Sequence, residues 1–245
     1  MPYRYLNSNE AAQYLNLTDS DVEHLVKDRE MPFELRGGRT VFRRQDLDTW
    51  ASRRILSAEP EDLAEYHRKS SERASPLSGL LLPELIQPGR IDPAMRAKTK
   101  PSVLREMAAL AASTGWVCDP AELTESLEAR EADGSTAVPG GLALLHPRAR
   151  QPYRFEESFL VLGRTVQPIH FGAPDFQPTD LFFLLCCADD KLHLHALARL
   201  CLLAQETDVL PQIRALEDAA AICECLVQAE EQVVSKRSQE LAGRG

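Results

Sequence analysis

Two kinds of segment follow one another along this chain: segments with apolar residues at helical spacing, and short runs of consecutive apolar residues. Near the amino terminus, a capping residue is twice followed three positions later by an acidic residue, a pattern that opens helices. The two pairs are Asn7 with Glu10 and Thr18 with Asp21. We therefore predict a helix over Ser8–Leu15, a tight turn at Asn16-Leu17, and a second helix with Val22 and Leu25 on its apolar face.

A hairpin and a third helix are predicted to follow. Residues 32–35 and 40–43 have the composition of strands, and Gly37-Gly38 between them is a two-residue hairpin signal. The segment Asp46–Trp50 opens a helix that packs Leu47 and Trp50. Two short helices followed by a hairpin are typical of a winged helix-turn-helix, which we assign to residues 1–56.

The rest of the chain has the pattern of an α/β unit. Residues 57–76 form a connector, in which the charged, glycine-free segment Glu59–Arg73 predicts a solvated helix. Beyond it, apolar runs without alternation predict strands buried on both faces. These strands are Leu142–Leu145, Ser158–Gly163 and Leu181–Cys187. The predicted helices are 102–111 with Ser102 as the cap, 121–130 opened by Asp119-Pro120, 192–205, 208–215 and 218–233. This order predicts a small mixed sheet covered by helices over residues 77–232, and a polar tail at 233–245 that is frayed from Ser235.

The stretch Arg130–Arg148 holds the candidate chemistry. Gly134 and Gly140-Gly141 allow tight turns ahead of the strand Leu142–Leu145, which would hold His146 at its end. An imidazole fixed beside a cationic side chain suits acceptance of a phosphoryl group. The ring nitrogen is the nucleophile, and fixed cations and N–H groups hold the phosphoryl oxygens.

This stretch resembles the phosphorylation-site region of type 2 enzyme IIA domains of the phosphotransferase system (PTS), the fructose, mannitol and nitrogen-regulatory class. The matching residues are Arg130-Glu131, Gly134-Ser135-Thr136, Gly141, Ala143 and His146, and the match continues through 167–171, 177–181 and 193–197. The resemblance implies that His146 is the phosphoacceptor, that His193 is the second active-site histidine, and that Arg130 neutralises phosphate charge. It also makes Ser135 and Thr136 candidate phosphate-binding donors. Leu145 and Pro147 depart from the family pattern, which usually has proline before the histidine and glycine after it; Pro147 has no N–H to donate.

The amino-terminal unit resembles the DNA-binding domain of MerR and excisionase proteins. The matching residues are 9–15, the wing Gly37-Gly38-Arg39, and 42–50. The candidate DNA-binding residues are Ser20, His24, Arg36, Arg39, Arg43 and Arg44. The unit departs from the family where the second helix should read DNA, because Asp19, Asp21 and Glu23 stand there and residues 1–56 are net neutral. A protein-interaction role is therefore the alternative to DNA binding.

Composition and charge argue against several classes of function. The 245 residues carry a formal charge of −9, which argues against general adhesion to nucleic acid or membranes. No apolar run approaches the roughly 20 residues that span a bilayer, and residues 1–13 lack the apolar segment of a secretory signal, so we expect a cytoplasmic location. Most of the six cysteines lie in apolar runs and are interpreted as small buried hydrophobic residues. Cys186-Cys187 lies near His193 and His195, but the spacing is not that of a standard zinc finger, and we predict no metal and no cofactor.

Together, the two resemblances predict a cytoplasmic bacterial regulator of transcription rather than a small-molecule enzyme. Its IIA-like domain would accept a phosphoryl group on His146 from a histidine phosphocarrier protein, and the added charge would weaken binding of the other unit to DNA. An IIA-like module that has lost phosphotransfer and only contacts proteins is the alternative, and Leu145 and Pro147 would fit it. A sugar-transport role is a third hypothesis, which the DNA-binding unit disfavours. The sequence is also compatible with a homodimer.

Overall fold

The amino-terminal unit combines a helix pair, a small sheet and a third helix in the computed structural model, which describes residues 5–73, 79–148 and 155–242. Its elements are β1 (Tyr5–Leu6), α1 (Ser8–Leu15), α2 (Asp19–Lys27), β2 (Glu34–Arg36), β3 (Arg39–Arg43) and α3 (Arg44–Leu56). Both predicted capping boxes are present. Gly37 and Gly38 form the hairpin turn with φ angles of 56° and 76°, which favour glycine. Strand β1 was not predicted, because two residues give no periodic signal; it pairs antiparallel with β3.

The larger unit is a mixed sheet covered by helices on both faces, which confirms the predicted α/β class. Its elements are α4 (Pro60–Arg73), α5 (Leu82–Leu85), a 3-10 turn (Pro88–Arg90), β4 (Ile91–Met95), α6 (Lys100–Ala112), α7 (Pro120–Ala132), β5 (Ala137–Val138), β6 (Leu142–Leu145), β7 (Phe159–Ile169), β8 (Thr179–Cys186), α8 (Asp190–Glu206), α9 (Val209–Arg214) and α10 (Ala219–Ala242). The strand order is β4-β7-β8-β6-β5. The pairs β4–β7 and β6–β8 are parallel, and β7–β8 and β5–β6 are antiparallel.

Alternate residues of the central strands enter two different cores, as the period of two in a strand requires. On β6, Leu142 and Leu144 face the core that includes α8 and α10, whereas Ala143 and Leu145 face the core formed with α6 and α7. The first of these cores continues without a break into the amino-terminal unit through residues of α1 and α3. The helix-turn-helix unit is thus packed against the α/β unit.

Two sequence predictions are corrected by the structure, and strand β4 was not predicted. Thr99, not Ser102, caps α6, because Ser102 is the third helical residue and completes a capping box with Thr99. The tail is not frayed from residue 235, since α10 continues to Ala242; residues 243–245 lie outside the described residues. The unpredicted strand β4 contains Pro93 and lies at the sheet edge, where proline is tolerated.

Helix α4 is packed rather than solvated, which corrects the interpretation of the connector. Leu63 and His67, one helical turn apart, are both buried, and α4 lies along α8. The Nε of Arg199 on α8 donates to the His67 Nε2 over 2.7 Å, and Arg199 Nη1 lies 2.6 Å from Glu230 Oε1 on α10. Glu230 also accepts from two backbone N–H groups at the start of α5, those of residues 81 and 82. A fully buried ion pair therefore ties α4, α8 and α10 together.

Replacing Glu230 by alanine should destabilise the protein by about 3–5 kcal/mol, because the buried Arg199 charge would lose its partner. Urea denaturation gives the free energy of unfolding for wild type and variant. Glu231→Ala is the matched control, since the neighbouring Glu231 side chain is exposed; it should change stability by less than about 0.5 kcal/mol. Equal losses in both variants would mean that the ion pair contributes nothing specific.

Candidate phosphoacceptor site

His146 follows the carboxyl end of the central strand β6 and is 3% exposed. The tight turn before β6 depends on Gly141, which has a φ of 76° and where a Cβ would lie 2.7 Å from Arg214 Nη2. A larger residue would therefore disturb the entry to β6. Because β6 is paired with β8 on one side and β5 on the other, it is an inner strand, and the sheet fixes the position of His146 at its end.

The hydrogen bonds of His146 set its tautomer. Arg130 Nε, which can only donate, lies 3.0 Å from His146 Nε2, so Nε2 carries a lone pair. His146 Nδ1 lies 2.9 Å from the carbonyl oxygen of Leu144, which can only accept, so Nδ1 carries the proton. The imidazole is therefore neutral and presents Nε2 as its nucleophilic nitrogen.

His193 completes a histidine pair with His146. It comes from the first turns of α8, is 1% exposed, and its ring lies edge-on to that of His146 with centroids 5.1 Å apart. His195, two positions along the same helix, points the other way and contacts His67 with ring centroids 4.4 Å apart. His195 is thus a buried core histidine, and His170 is exposed on the surface.

Arg130 supplies a buried positive charge from the last turn of α7. It is 1% exposed, and burial lowers the pKa of its guanidinium, while Glu131 opposes that shift. An arginine stays charged under such conditions. Besides His146, it donates from Nη1 to the Gly134 carbonyl oxygen over 2.8 Å. Nη2 has no hydrogen-bond partner among the described residues, so this buried N–H donor remains available to an anion.

Ser135 and Thr136 are engaged in stabilising the turn. The Thr136 hydroxyl and backbone N–H both donate to Glu131 Oε1, and Lys100 Nζ lies 2.6 Å from Glu131 Oε2. Ser135 Oγ donates to the Phe171 carbonyl oxygen over 2.9 Å. Their phosphate-binding role stays a prediction, and it would require these hydroxyls to exchange partners.

Helix α3 of the amino-terminal unit closes the site. Asp48, Thr49 and Ser52 line one narrow cavity with Arg130, His146, Pro147, Arg148 and His193. Sequence analysis missed these α3 residues and Arg148. The signal for α3 was a polar pair, Asp48 and Ser52, at helical spacing beside the apolar positions Leu47, Ala51 and Ile55. That spacing shows which residues share a face but not what the face covers.

The predicted DNA-binding residues lie on α2, on the hairpin and at the start of α3. Ser20, His24 and Arg39 are exposed, on α2 and at the hairpin turn. Arg36 and Arg43 each lie 2.9 Å from Glu34, so part of their charge is neutralised. The Arg44 guanidinium lies 5.4 Å from the centre of the Tyr14 ring. Among the amino-terminal elements, α1 and α3 contact α8, whereas the side chains of Ser20, His24 and Arg39 stay exposed.

The six cysteines differ in burial: Cys186, Cys187 and Cys201 are buried, Cys223 and Cys225 are half-buried, and Cys118 is exposed. Cys186 and Cys187 are buried at the end of β8, and burial raises the pKa of the Cys201 thiol to about 12. Within residues 5–73, 79–148 and 155–242, no three His, Cys, Asp or Glu side chains are grouped so as to hold a metal ion. None of the helices described in those ranges combines the length and apolar character needed to cross a bilayer.

The structure has a mixed sheet, and a buried histidine follows one of its inner strands. An arginine contacts a ring nitrogen of that histidine, and a second histidine lies beside the ring. These features together define the type 2 class of PTS IIA domains. The family described as "Phosphoenolpyruvate-dependent sugar phosphotransferase system, EIIA 2" matches residues 84–229, and the chain belongs to this family. A helix-turn-helix domain family matches residues 5–55. The first match confirms the resemblance to type 2 IIA domains, and the second confirms a helix-turn-helix unit at the amino terminus.

Relatives of the larger unit include nitrogen regulatory proteins. That of Bradyrhizobium diazoefficiens is 38% identical over 141 residues, which are 57% of this chain and 90% of the relative. The crystal structure of nitrogen regulatory protein IIA-Ntr from Neisseria meningitidis aligns with a TM-score of 0.50 and 25% identity, covering 58% of this chain and 97% of that one. Mannitol enzyme IIA of Escherichia coli, in complex with phosphorylated enzyme IIB, aligns with a TM-score of 0.51 over 58% of this chain and 96% of that one; at 16% identity it shows the fold alone.

The tautomer of His146 is directly measurable. Nitrogen-15 NMR of the unphosphorylated protein at slightly alkaline pH should show a His146 ring with a protonated Nδ1 and an unprotonated Nε2, because Arg130 and the Leu144 carbonyl group hold it so. His146→Asn assigns the signals by removing them. A His146 ring with its proton on Nε2 would contradict the hydrogen bond from Arg130.

Proposed function

We propose that the protein is a PTS-linked regulator in which His146 accepts a phosphoryl group from a histidine phosphocarrier protein. The observation that carries the proposal is the Arg130 Nε to His146 Nε2 contact of 3.0 Å, which leaves Nε2 unprotonated and beside a buried cation. Membership of the enzyme IIA family supports it, as does the identity to nitrogen regulatory proteins.

The transfer needs few changes at the acceptor. His146 Nε2 attacks the phosphorus of the carrier's phosphohistidine, and the new P–N bond forms as the carrier's P–N bond breaks. The electron pair of the broken bond stays on the carrier's ring, and His146 Nδ1 keeps its proton against the Leu144 carbonyl oxygen. Arg130 would exchange its bond to Nε2 for the phosphoryl oxygens, with Nη2 as a further donor. His193, beside the ring, would donate to the same group.

Incubation with phosphoenolpyruvate, enzyme I and the phosphocarrier should place an acid-labile, base-stable phosphate on His146. Intact-protein mass spectrometry in neutral buffer follows the label. His146→Ala should carry none, and His193→Ala should be labelled about 10²-fold more slowly, the lower range for loss of one oriented donor. His170→Ala is the matched control because His170 is exposed and outside the histidine pair; it should behave as wild type.

The second candidate is an IIA-like interaction module without phosphotransfer, and Pro147 favours it. Pro147 lines the cavity beside His146 and lacks the N–H that glycine offers there in the family pattern. If this protein stays unlabelled while the Bradyrhizobium nitrogen regulatory protein is labelled in the same mixture, the module is the better description.

The helix-turn-helix unit supports a second part of the proposal, which is DNA binding that regulates transcription. Helix α2 is the element that enters the major groove in such units; Ser20 is exposed in its first turn and His24 in its last turn. Arg39 is exposed at the tip of the hairpin. The carboxylates of Asp19 and Asp21 stand beside Ser20 and would repel phosphates. The wing arginines would therefore supply most of the attraction to the DNA backbone.

Replacing Arg39 by alanine should weaken binding to all DNA sequences alike and reduce the slope of log affinity against log salt by about one. Fluorescence anisotropy against a selected operator and an unrelated duplex, over a series of salt concentrations, gives both quantities. Arg105→Ala removes an equally exposed arginine from α6, outside the helix-turn-helix unit, and should leave the slope unchanged. If Arg39→Ala binds as wild type does, the wing lies outside the interface.

A further inference from the structure

The face of α3 that covers the phosphoacceptor site is built from buried residues. Asp48 and Ser52, one helical turn apart, are 7% and 2% exposed and line the cavity next to His146. The adjacent apolar stripe, Leu47, Ala51 and Ile55, belongs to the same core as residues of α8. Burial of this stripe seats α3 on α8 and brings its polar edge over the site.

The closed site has no room for a phosphoryl group. The cavity between α3 and the histidine pair does not admit even a water molecule, and His146 and His193 are 3% and 1% exposed. A phosphoryl group on His146 Nε2 would bring three oxygens into this space. A phosphocarrier would also need to bring its own phosphohistidine into contact with Nε2. Neither is compatible with α3 in the position described.

Electrostatic repulsion, like the lack of space, opposes a phosphoryl group on His146 while α3 covers the site. Asp48 is the acidic side chain of a cavity whose other charged members are Arg130 and Arg148, so α3 supplies a carboxylate to a cationic site. The Tyr14 hydroxyl donates to Asp48 Oδ1 and thereby ties the carboxylate to the helix-turn-helix unit. Phosphorylation would add about two negative charges beside this carboxylate, and the attraction would become repulsion.

An exposed contact holds the edge of α3. The Arg53 guanidinium donates to the Asp133 carbonyl oxygen at the end of α7, and Arg53 Nη2 lies 3.7 Å from the position of a Cβ on Gly134. Asp133 in turn holds Arg148, with 2.7 Å from Arg148 Nε to Asp133 Oδ2. Because Arg53 is exposed, it can be replaced without opening a cavity in a core.

We infer that the helix-turn-helix unit docks on the phosphoacceptor site through α3, and that docking and phosphorylation of His146 exclude each other. The inference rests on the proposed function and deepens it. Docking disfavours phosphorylated His146, and by reciprocity of coupled equilibria the phosphoryl group weakens docking of the helix-turn-helix unit to the same extent. Because the docked α3 also covers His146, docking slows phosphoryl acceptance.

The test compares labelling rates of His146 in variants that weaken docking. Arg53→Ala removes the contact with Asp133, and Ser52→Trp adds bulk where α3 meets the site. We expect labelling about 5-fold faster in Arg53→Ala and at least about 10-fold faster in Ser52→Trp, within the range usual for coupling between sites. Arg54→Ala is the matched control, since the exposed Arg54 lies against Trp50 of its own unit; it should stay within about two-fold of wild type.

The sign of the Arg53 effect separates docking from simple electrostatics. Arg53 adds positive charge near Arg130, so a purely electrostatic role predicts slower labelling of Arg53→Ala by an anionic donor. Docking predicts faster labelling. Arg53→Ala also keeps the test valid if Ser52→Trp does not fold, which circular dichroism would reveal.

Two phosphoryl donors keep failure of the inference distinct from failure of the proposed function. One is the phosphocarrier with enzyme I and phosphoenolpyruvate, and the other is phosphoramidate, a small donor that needs no protein recognition. Faster labelling of the docking variants by phosphoramidate alone would uphold the inference and overturn transfer from the carrier. Equal rates in wild type and all variants with both donors would overturn the inference, and no label on His146 from either donor would overturn both proposals.

Discussion

Helix α8 is buried along residues 193–203, so each of its faces has to be covered. One side packs on the sheet, and the other is covered by α3 and α4. Both histidine pairs depend on this arrangement, because His193 meets His146 on one side of the helix and His195 meets His67 on another. A helix that is buried on all sides thus packs against the helix-turn-helix unit and positions the second histidine of the candidate site in a single arrangement.

Two buried arginines, Arg199 and Arg130, differ in how completely their side chains are paired. Arg199 is balanced by Glu230 and bonded to His67, and each of these partners is itself buried. Arg130 contacts the nucleophilic nitrogen of His146 and keeps one N–H group without a hydrogen-bond acceptor among the described residues. Buried donors are nearly always satisfied, and an exception beside the ring nitrogen of His146 is consistent with a place for an anion. This contrast supports binding of a phosphoryl group at Arg130 more directly than the histidines alone.

Much of the fold followed from local sequence. The capping pairs at Asn7 and Thr18 located α1 and α2, and the apolar run Leu142–Leu145 located β6. The candidate site residues of the IIA-like segment were predicted from spaced motifs that a family resemblance made specific. Strand β4 was missed because Pro93 argues against a strand unless the strand is known to lie at an edge. Edge position is a property of the assembled sheet and cannot be obtained from periodicity.

The contribution of α3 to the site could not be predicted for a related reason. Asp48 and Ser52 share a helix face with an apolar stripe, and that pattern fits packing inside a helix-turn-helix unit as well as docking on another unit. Glu59–Arg73 was likewise taken as solvated because its charges outnumber its apolar residues, although Leu63 and His67 are enough to bury one face against α8. In both cases the partner surface, which is distant in sequence, decided the outcome.

The central claim is that a phosphoryl group on His146 and the docked α3 cannot coexist. Hydrogen–deuterium exchange of wild type before and after stoichiometric phosphorylation tests it most directly, with His146→Asn carried through the same treatment. The account predicts faster exchange after phosphorylation in residues 44–56 and in residues 193–203 of α8, with no change in the His146→Asn protein. Unchanged exchange in both segments, with the phosphate present on His146, would contradict it.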